Sequence, residues 1–384
     1  MKAFYDGRQR VHDPKMFMAN GTRLPNPEQP ARIDVLRAGA EAAGCIFGQP
    51  SDHGRASIGA IHSPEYLVFL ETIHARWSRI EGASDEVIPN IHPDRRTASY
   101  PKSAAGQAGF HQADTACPIS SGTWDAAYWS AQTALSAADT VLAGDGSAYA
   151  LCRPPGHHAF CDLAGGFCFL NNAAIAAAAI LRAGLRPAIL DVDVHHGNGT
   201  QGIFYGRRDV LTVSIHADPV RFYPFFWGHA EERGEGEGLG YNVNLALPRG
   251  TDDAGYLSAL DTALARVRAF GTEVLVVALG LDAHEKDPFQ GLKVTTPGFA
   301  RIAERIAAAG LPTVIVQEGG YLQPDLGANL TSFLGGFGWA SGVSAGALPC
   351  QPPRRILGQQ PMALAVRGHR CKLLIAGDGG PGGT

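Results

Sequence analysis

The chain has 384 residues, of which 45% are hydrophobic and 18% are charged, enough for one large α/β core or two smaller domains. Its formal net charge of −4 and its pI of about 6.4 exclude a globally basic surface for nucleic acid. We find no apolar run of about 18 residues and no signal-peptide core, and the seven cysteines form no CxxC pair. We therefore expect no membrane association, reduced thiols and a cytoplasmic location.

The first third of the chain combines helical patterns with two long irregular segments. A first strand is predicted over residues 2–6, and helices are predicted over residues 31–43 and 64–77. Residues 12–30 and 81–122 are rich in Pro, Gly and Asn, and we interpret both as loop insertions. Thr123 is predicted to cap an alanine-rich helix that ends near Ala143.

From residue 148 onwards, strand patterns alternate with helical ones. The predicted strands are 148–152, 187–194, 210–216, 242–247, 273–282 and 312–321, and the predicted helices are 173–184, 253–270 and 297–309. This alternation predicts a single α/β domain over residues 1–340, with a doubly wound, mostly parallel sheet, helices on both faces and sites at the carboxyl ends of strands. Residues 341–384 are Gly-, Pro- and Arg-rich and are interpreted as an irregular tail, in which RCKLLIAG could form a stray strand.

The stretch AILDVDVHHGNGTQ, residues 188–201, places polar side chains inside an apolar alternation. Asp191, Asp193 and His195 alternate with valines, so a strand would present them on one face. Two buried carboxylates and an imidazole would be costly without a cation, and a divalent metal is the simplest partner. The less specific reading is a solvated strand end before a turn.

Three other strand ends carry unusual polar residues. His157 and His158 end the motif RPPGHH, Asp282 lies in LGLDAHEKDP, and Tyr321 follows two glycines in QEGGY. Taken alone, the histidines and the tyrosine could be surface residues. Together, Asp193, His195 and Asp282 would supply two oxygens and one nitrogen and leave a position open, which is typical of catalytic zinc and also permits Fe²⁺ or Co²⁺.

These four motifs and GGFCFLNN, in this order and spacing, resemble the zinc-dependent deacetylases of the arginase/histone-deacetylase fold, and most closely the bacterial acetylpolyamine amidohydrolases. The resemblance covers residues 1–337. It implies that Asp193, His195 and Asp282 hold Zn²⁺, that His158 is the general base and then the general acid, and that Tyr321 polarises the acetyl carbonyl. It also implies that His157 is an electrostatic partner bonded to Asp191. A structural K⁺ is expected at Asp191, Asp193, His195 and Ser214.

The resemblance further implies a narrow tunnel that admits a linear aminoalkyl chain. Its expected lining residues are Gly166, Phe167 and Tyr223. Polyamine-selective relatives carry carboxylates at the tunnel mouth, where this chain has Phe17 and Ala105, and we expect Glu28 or Glu285 to substitute. Asn198 stands where one branch has an aspartate beside His158, which should make that histidine less basic. His284 is expected to be a rim residue and not a fourth metal ligand.

The leading hypothesis is a hydrolase of polyamine metabolism that removes the acetyl group from N-acetylated polyamines or short diamines, such as acetylputrescine and acetylcadaverine. Two alternatives remain: a protein or peptide acetyl-lysine deacetylase, and a non-catalytic acetyl-group binder, against which the histidines and Tyr321 argue. A dimanganese ureohydrolase is disfavoured, because Asp282-Ala283-His284 offers one carboxylate where a second metal would require two. The resemblance also implies a homodimer formed through residues 12–30 and 81–122.

Overall fold

An eight-stranded parallel sheet lies at the centre of the molecule. The computed structural model describes residues 1–94 and 99–340 and two short strands beyond them. The strands are β1 (Lys2–Phe4), β2 (Met16–Ala19), β3 (Thr22–Pro25), β4 (Ile46–Gly48), β5 (Ser147–Ala150), β6 (Pro187–Asp191), β7 (Leu211–Ala217), β8 (Asn242–Leu247), β9 (Val274–Leu279), β10 (Thr313–Gln317), β11 (Ala363–Val366) and β12 (Cys371–Leu374). The sheet has the order β4-β1-β5-β10-β9-β6-β7-β8, and each neighbouring pair is parallel.

Helices cover both faces of this sheet. They are α1 (Ala31–Ala42), α2 (Arg55–Gly59), α3 (Pro64–Trp77), α4 (Ala104–His111), α5 (Thr123–Leu142), α6 (Asn172–Arg182), α7 (Asn198–Phe204), α8 (Asp253–Phe270), α9 (Thr296–Ala307) and α10 (Leu326–Ala340). One hydrophobic layer is built mainly with α3, α5 and α6, and the other with α1, α8, α9 and α10. The predicted doubly wound α/β architecture is confirmed.

Strand β9 shows why the sheet must be covered on both sides. Val274, Val276 and Ala278 pack into the first layer, whereas Leu275, Val277 and Leu279 pack into the second. Successive side chains of a strand point to opposite faces, so a continuous apolar run is buried only when both faces are covered. This arrangement leaves the strand ends as the places where polar groups can be presented.

The two segments interpreted as loops contain regular structure that the sequence analysis missed. Residues 12–30 include the antiparallel hairpin β2–β3. Asn20 and Gly21 at its turn have φ values of 51° and 75°, the backbone conformation that a two-residue Asn-Gly hairpin turn requires. Residues 81–122 include α4, and residues 198–204 form α7. In the tail, β12 coincides with part of RCKLLIAG and pairs with β11; its other residues lie outside the described part of the chain.

One local prediction was wrong. Thr123 is the first residue of α5 and not its cap, because its hydroxyl bonds the His12 ring and accepts from the Ser120 amide. The prediction of reduced thiols is confirmed for Cys45, Cys117, Cys152 and Cys168. Among the described residues, no helix is long and apolar enough to cross a membrane.

Candidate metal and active site

The predicted site residues follow four strands that are neighbours in the sheet, β5, β10, β9 and β6. His157 and His158 lie beyond β5, Tyr321 beyond β10, Asp282 beyond β9, and both Asp193 and His195 beyond β6. Because all four strands are parallel, their carboxyl ends meet at one edge of the sheet. The order of strands, and not their order along the chain, therefore assembles the site.

Asp193, His195 and Asp282 form a compact buried cluster. One ligand atom from each lies within 4.8 Å of the others. The Nδ1 atom of His195 is 3.1 Å from Asp193 Oδ1 and 3.2 Å from Asp282 Oδ2. Both aspartates are 0% exposed and the histidine is 6% exposed. Two carboxylates and one imidazole nitrogen at this spacing can ligate one divalent cation.

The backbone presents these ligands in a different way from the predicted one. Strand β6 ends at Asp191, so Asp193 and His195 stand in the turn beyond it and not on a strand face. The turn is held by two side-chain contacts, in which Asp191 Oδ1 accepts from the Asp193 amide (3.1 Å) and Asp193 Oδ1 accepts from the His195 amide (2.9 Å). Aspartates commonly bond the backbone two residues ahead in this way.

Backbone donors hold the outward oxygens of both aspartates. The Gly319 amide donates to Asp193 Oδ2 (2.8 Å), and the Val194 amide donates to Asp282 Oδ1 (3.0 Å). A Cβ atom at Gly319 would lie 2.2 Å from Asp282 Oδ2, and one at Gly280 would lie 2.2 Å from Asp193 Oδ2. These glycines are needed because the chain passes directly against the carboxylates.

The electrostatics of the cluster also call for a cation. Burial lowers the pKa of His195, but its hydrogen bonds with Asp193 and Asp282 raise that pKa to about 9. Burial and the Asp193 charge raise the pKa of Asp282 to about 6. Without a metal, a proton on His195 must therefore offset the two carboxylates. A divalent cation would take over that role, so the residues present fit a catalytic metal.

The two adjacent histidines differ in their hydrogen-bond partners. The Nδ1 atom of His157 lies 2.9 Å from Asp191 Oδ2, as expected, and that of His158 lies 2.6 Å from Asn198 Oδ1. Burial lowers the pKa of His157, but Asp191 and Asp193 hold it well above its ordinary value. Burial and the neighbouring histidines hold the pKa of His158 well below its ordinary value. His157 is thus cationic and His158 neutral at pH 7.

Aromatic side chains surround the cluster. Phe167 packs edge-on against Phe17 (5.7 Å between ring centroids) and against Tyr321 (5.8 Å). The ring of Tyr223 stands perpendicular to that of His158 at 5.0 Å. Gly166 has φ +50, and a Cβ there would lie 2.4 Å from the His158 ring. Gly166, Phe167 and Tyr223, which were predicted to line a tunnel, are thus brought together beside His157 and His158.

Comparison with known proteins identifies this arrangement. The model of the histone deacetylase domain matches residues 26–337. The chain belongs to the histone deacetylase family. It is 49% identical over 339 residues to the acetylpolyamine amidohydrolase of Burkholderia pseudomallei (strain 1710b). The aligned region covers 88% of this chain and 99% of that protein. It is 43% identical over 343 residues to acetylpolyamine amidohydrolase 1 of Pseudomonas aeruginosa, with 88% and 99% coverage.

Solved structures of histone deacetylase family members share the fold. A crystal structure of acetylpolyamine aminohydrolase from Burkholderia pseudomallei superposes with a TM-score of 0.86 at 50% identity, covering 88% of this chain and 99% of that one. The HDA15 HD domain superposes with a TM-score of 0.71 at 27% identity, covering 87% of this chain and 90% of that one. The arginase/deacetylase fold predicted from the motifs is confirmed.

One carboxylate beside Tyr223 and Gly166, that of Asp114, was not predicted from the sequence. The Tyr223 hydroxyl donates to Asp114 Oδ2 (2.6 Å), which also accepts from the Gly166 amide (3.2 Å). Asp114 Oδ1 accepts from the Ala116 amide, and Ala116 packs against Phe17, Phe167 and Tyr321. Asp114 stands in the 81–122 insertion, where it forms no recognisable motif, and only the folded chain brings it to Tyr223.

Two expectations for the rim, those for Glu28 and His284, were wrong. Glu28 is buried and paired with Arg32 and Arg153 in the interior, so it cannot stand at a tunnel mouth. Ala105 packs against the core layer that contains α3 and α5. His284 is buried and stacked on Phe299, neither at the rim nor among the grouped ligands. Phe17 lies in the aromatic cluster with Phe167 and Tyr321.

Glu285 and Ser214 are two further residues of the predicted site that the structure locates. Glu285 is exposed, and its amide donates to the Val294 carbonyl. Ser214 pairs with Asp191 in the register of β6 and β7, and its hydroxyl lies 2.8 Å from His216 Nδ1. The expected K⁺ site would lie at this strand pair, and the expected contact of Glu285 with substrate would lie at the surface.

Proposed function

We propose that the chain is a metal-dependent amidohydrolase that removes the acetyl group from N-acetylated polyamines or short diamines, giving acetate and a free amine. The observation that carries the proposal is the metal-ligand cluster lying beside a neutral histidine, a cationic histidine and a tyrosine within an aromatic wall. Family membership supports deacetylation. Three relatives that match this chain over 99% of their own length are named acetylpolyamine amidohydrolases, and these names support the polyamine class of substrate.

Asp193, His195 and Asp282 would hold the metal, which we propose to be Zn²⁺, with Fe²⁺ or Co²⁺ able to replace it. When bound by these residues, the metal would supply Lewis-acid chemistry and lower the pKa of a water molecule towards about 7. The protein keeps both carboxylates ionised and oriented through the Gly319 and Val194 amides. Such outer contacts orient metal ligands and tune their affinity.

His158 would act first as the general base and then as the general acid. Because Asn198 Oδ1 accepts a hydrogen bond at Nδ1, the Nδ1 atom carries the proton and Nε2 is free to accept one. A neutral imidazole can take the proton of the attacking water and return it to the leaving amine. The cationic His157, paired with Asp191, would stabilise negative charge that develops nearby.

The hydroxyl of Tyr321 would donate a hydrogen bond to the acetyl oxygen. Burial and the Asp282 charge hold its pKa well above the ordinary value, so the phenol keeps its proton. Asp287 Oδ2 accepts from the Tyr321 amide (3.1 Å), which fixes the backbone from which the ring extends. Loss of one such oxyanion donor typically lowers kcat by about 10²–10³-fold.

The aromatic wall favours a linear, unbranched acyl-amine. Phe17, Phe167 and Tyr321 contact one another, and Phe289 packs against Tyr321 at 5.0 Å. The apolar Phe17 also favours a second candidate, hydrolysis of acetyl-lysine in a peptide, because it offers no charge for a distant ammonium. The histone deacetylase-like amidohydrolase of Pseudomonas aeruginosa, 41% identical over 251 residues, belongs to the matched relatives.

We also propose five further properties of this chain. A structural K⁺ would lie between Asp191 and Ser214, with Asp193 and His195 contributing to it. A homodimer would form through residues 12–30 and 81–122, which expose apolar side chains at Met18, Leu24, Ile91 and Tyr100. The Glu285 carboxylate would contact substrate at the surface. The protein would act in the cytoplasm. Residues 1–340 would form one domain, followed by an irregular tail.

A substrate panel tests the function directly. Acetylputrescine, acetylcadaverine and an acetyl-lysine peptide are assayed with the metal-loaded enzyme, and the acetyldiamines should give the highest kcat/KM. His158→Ala should abolish turnover while one metal ion per chain remains bound. A marked preference for the peptide would favour the second candidate, and two manganese ions per chain would contradict the proposal. Unchanged turnover by His158→Ala would refute the assigned base.

A further inference from the structure

Glu318 is a fully buried carboxyl group that the mechanism above does not use. It follows β10 directly and lies beneath the loop that carries the two histidines. Its Oε2 atom accepts from the amides of Gly156 (2.6 Å) and His157 (3.1 Å). Its Oε1 atom has no hydrogen-bond partner within the described structure. A buried carboxyl that accepts two amides from one loop fixes that loop, because those donors have no water to turn to.

The backbone around Glu318 is tied to the rest of the site. The Glu318 amide donates to the Leu279 carbonyl (2.8 Å), and its carbonyl accepts from the Arg32 guanidinium (2.8 Å). The next residue, Gly319, donates to the metal ligand Asp193, and Tyr321 stands two residues further on. Glu318 thus links two parts of the site. Its side chain holds the histidine loop, and its backbone continues into the segment that contacts Asp193 and carries Tyr321.

An alternative interpretation is that Glu318 belongs to another metal site, since ligand atoms of His157, Cys168 and Glu318 lie within 4.8 Å of one another. The chemistry disfavours it. The His157 ring is already bonded to Asp191, and the Cys168 thiol lies 3.5 Å from the Gly166 carbonyl. Burial raises the pKa of Cys168 well above its ordinary value, so it is a thiol and not the thiolate that metals bind.

We propose that Glu318 is a positioning residue, whose carboxyl oxygen fixes residues 156–157 and so sets His157 and His158 against Tyr321 and the metal ligands. This inference rests on the proposed function for its kinetic consequence. Its structural content is independent, since it concerns where the histidine rings lie. The essential property is an oxygen acceptor at this position, and a neutral amide of the same shape should supply it.

The test compares Glu318→Gln, which keeps an acceptor oxygen, with Glu318→Ala, which removes it. In the metal-loaded enzyme, Glu318→Ala should lower kcat by about 100-fold, as expected for reacting groups displaced by about 1 Å, with KM and metal content little changed. Glu318→Gln should retain most of the activity. Glu304→Ala, which removes an exposed glutamate on α9, is the matched control and should behave as wild type.

A readout independent of turnover separates this inference from the proposed function. Histidine ring resonances in ¹H–¹⁵N spectra of the metal-loaded protein should shift for His157 and His158 in Glu318→Ala and remain in Glu318→Gln. If wild type hydrolyses no acetylated amine while these shifts occur, only the proposed function fails. Wild-type kcat and unshifted resonances in Glu318→Ala would overturn the inference. Equal loss in both folded, metal-loaded variants would also overturn it, since an acceptor alone would then not suffice.

Discussion

The contact between Asn198 and His158 sets the basicity of the proposed base. The amide oxygen accepts from Nδ1 without adding charge, so burial and the nearby histidines keep the imidazole neutral. Asn198→Asp would place a negative charge beside the ring and stabilise the imidazolium, raising the pKa by about one unit or more. The acid limb of the kcat/KM profile should therefore move to higher pH.

Rates measured between pH 5 and 9 check this shift. Gln49→Glu, which adds a negative charge at an exposed position, is the control and should leave the profile in place. An acid limb that stays put in Asn198→Asp, with the variant folded and metal-loaded, would show that His158 does not limit the rate at low pH.

Single residues were predictable where their chemistry was unusual in its sequence context. Asp193, His195 and Asp282 stand out because charged groups interrupt apolar strands, and the structure gathers them. Asp114 and Glu318 gave no such signal. Asp114 lies in an irregular segment. Glu318 lies in QEGGY, a motif that was interpreted through its glycines and its tyrosine. Their partners, Tyr223 and His157, are far away in the chain, so only the folded molecule shows the contacts.

At the scale of an element, the turn that follows β10 passes directly against the proposed metal ligands at Gly319. A methyl group there would meet the oxygens of Asp282 (2.2 Å) and Asp193 (2.5 Å). Gly319→Ala should therefore push the ligands apart and lower metal affinity by about 10–100-fold, the usual cost of disturbing groups that orient ligands. Competition with a chromophoric chelator measures this affinity.

Gly335→Ala is the matched control for that variant. Gly335 lies in α10 with open space around its Cβ position, so the substitution should leave metal affinity unchanged. If Gly319→Ala bound metal as tightly as wild type, the close passage of β10 over the carboxylates would not matter for the site.

Helices with strong local signals were predictable, whereas short elements were not. Helix α3 begins and ends where the pattern places it, with Ser63 as its cap and Pro64 in its first turn. Strand β6 ends earlier than the alternation of valines suggests, because Asp191 and Asp193 bond backbone amides and turn the chain. The β2–β3 hairpin was missed although Asn20-Gly21 is the dipeptide that favours such turns.

At the scale of the whole molecule, the alternation of strands and helices predicts a doubly wound sheet but not the order of its strands. The order brings β5 beside β10, although four strands, β6 to β9, come between them along the chain. That adjacency decides the site, since it carries His157 and Tyr321 to the same edge. Strand order depends on which layers the crossing helices fill, and no local pattern contains that information.

The metal should stabilise the whole fold, because it binds the folded state and offsets two buried carboxylates. Metal present at about 1,000 times its Kd would contribute about 4 kcal/mol to the free energy of unfolding. Chelation should therefore lower the Tm of wild type by several degrees. Asp193→Asn, which removes a ligand charge, should show no such response to chelator in differential scanning calorimetry.

The decrease in Tm that chelation causes should depend on pH. In the metal-free protein the pKa of His195 is raised from 6.5 to about 9, so its proton contributes stability that is present below about 6.5 and lost as pH rises to about 9. Metal binding needs the deprotonated ring and removes this dependence. The difference in Tm between metal-loaded and chelated protein should thus be larger at pH 9 than at pH 6.5. A difference that is constant or smaller at pH 9 would mean that the His195 proton does not stand in for the cation.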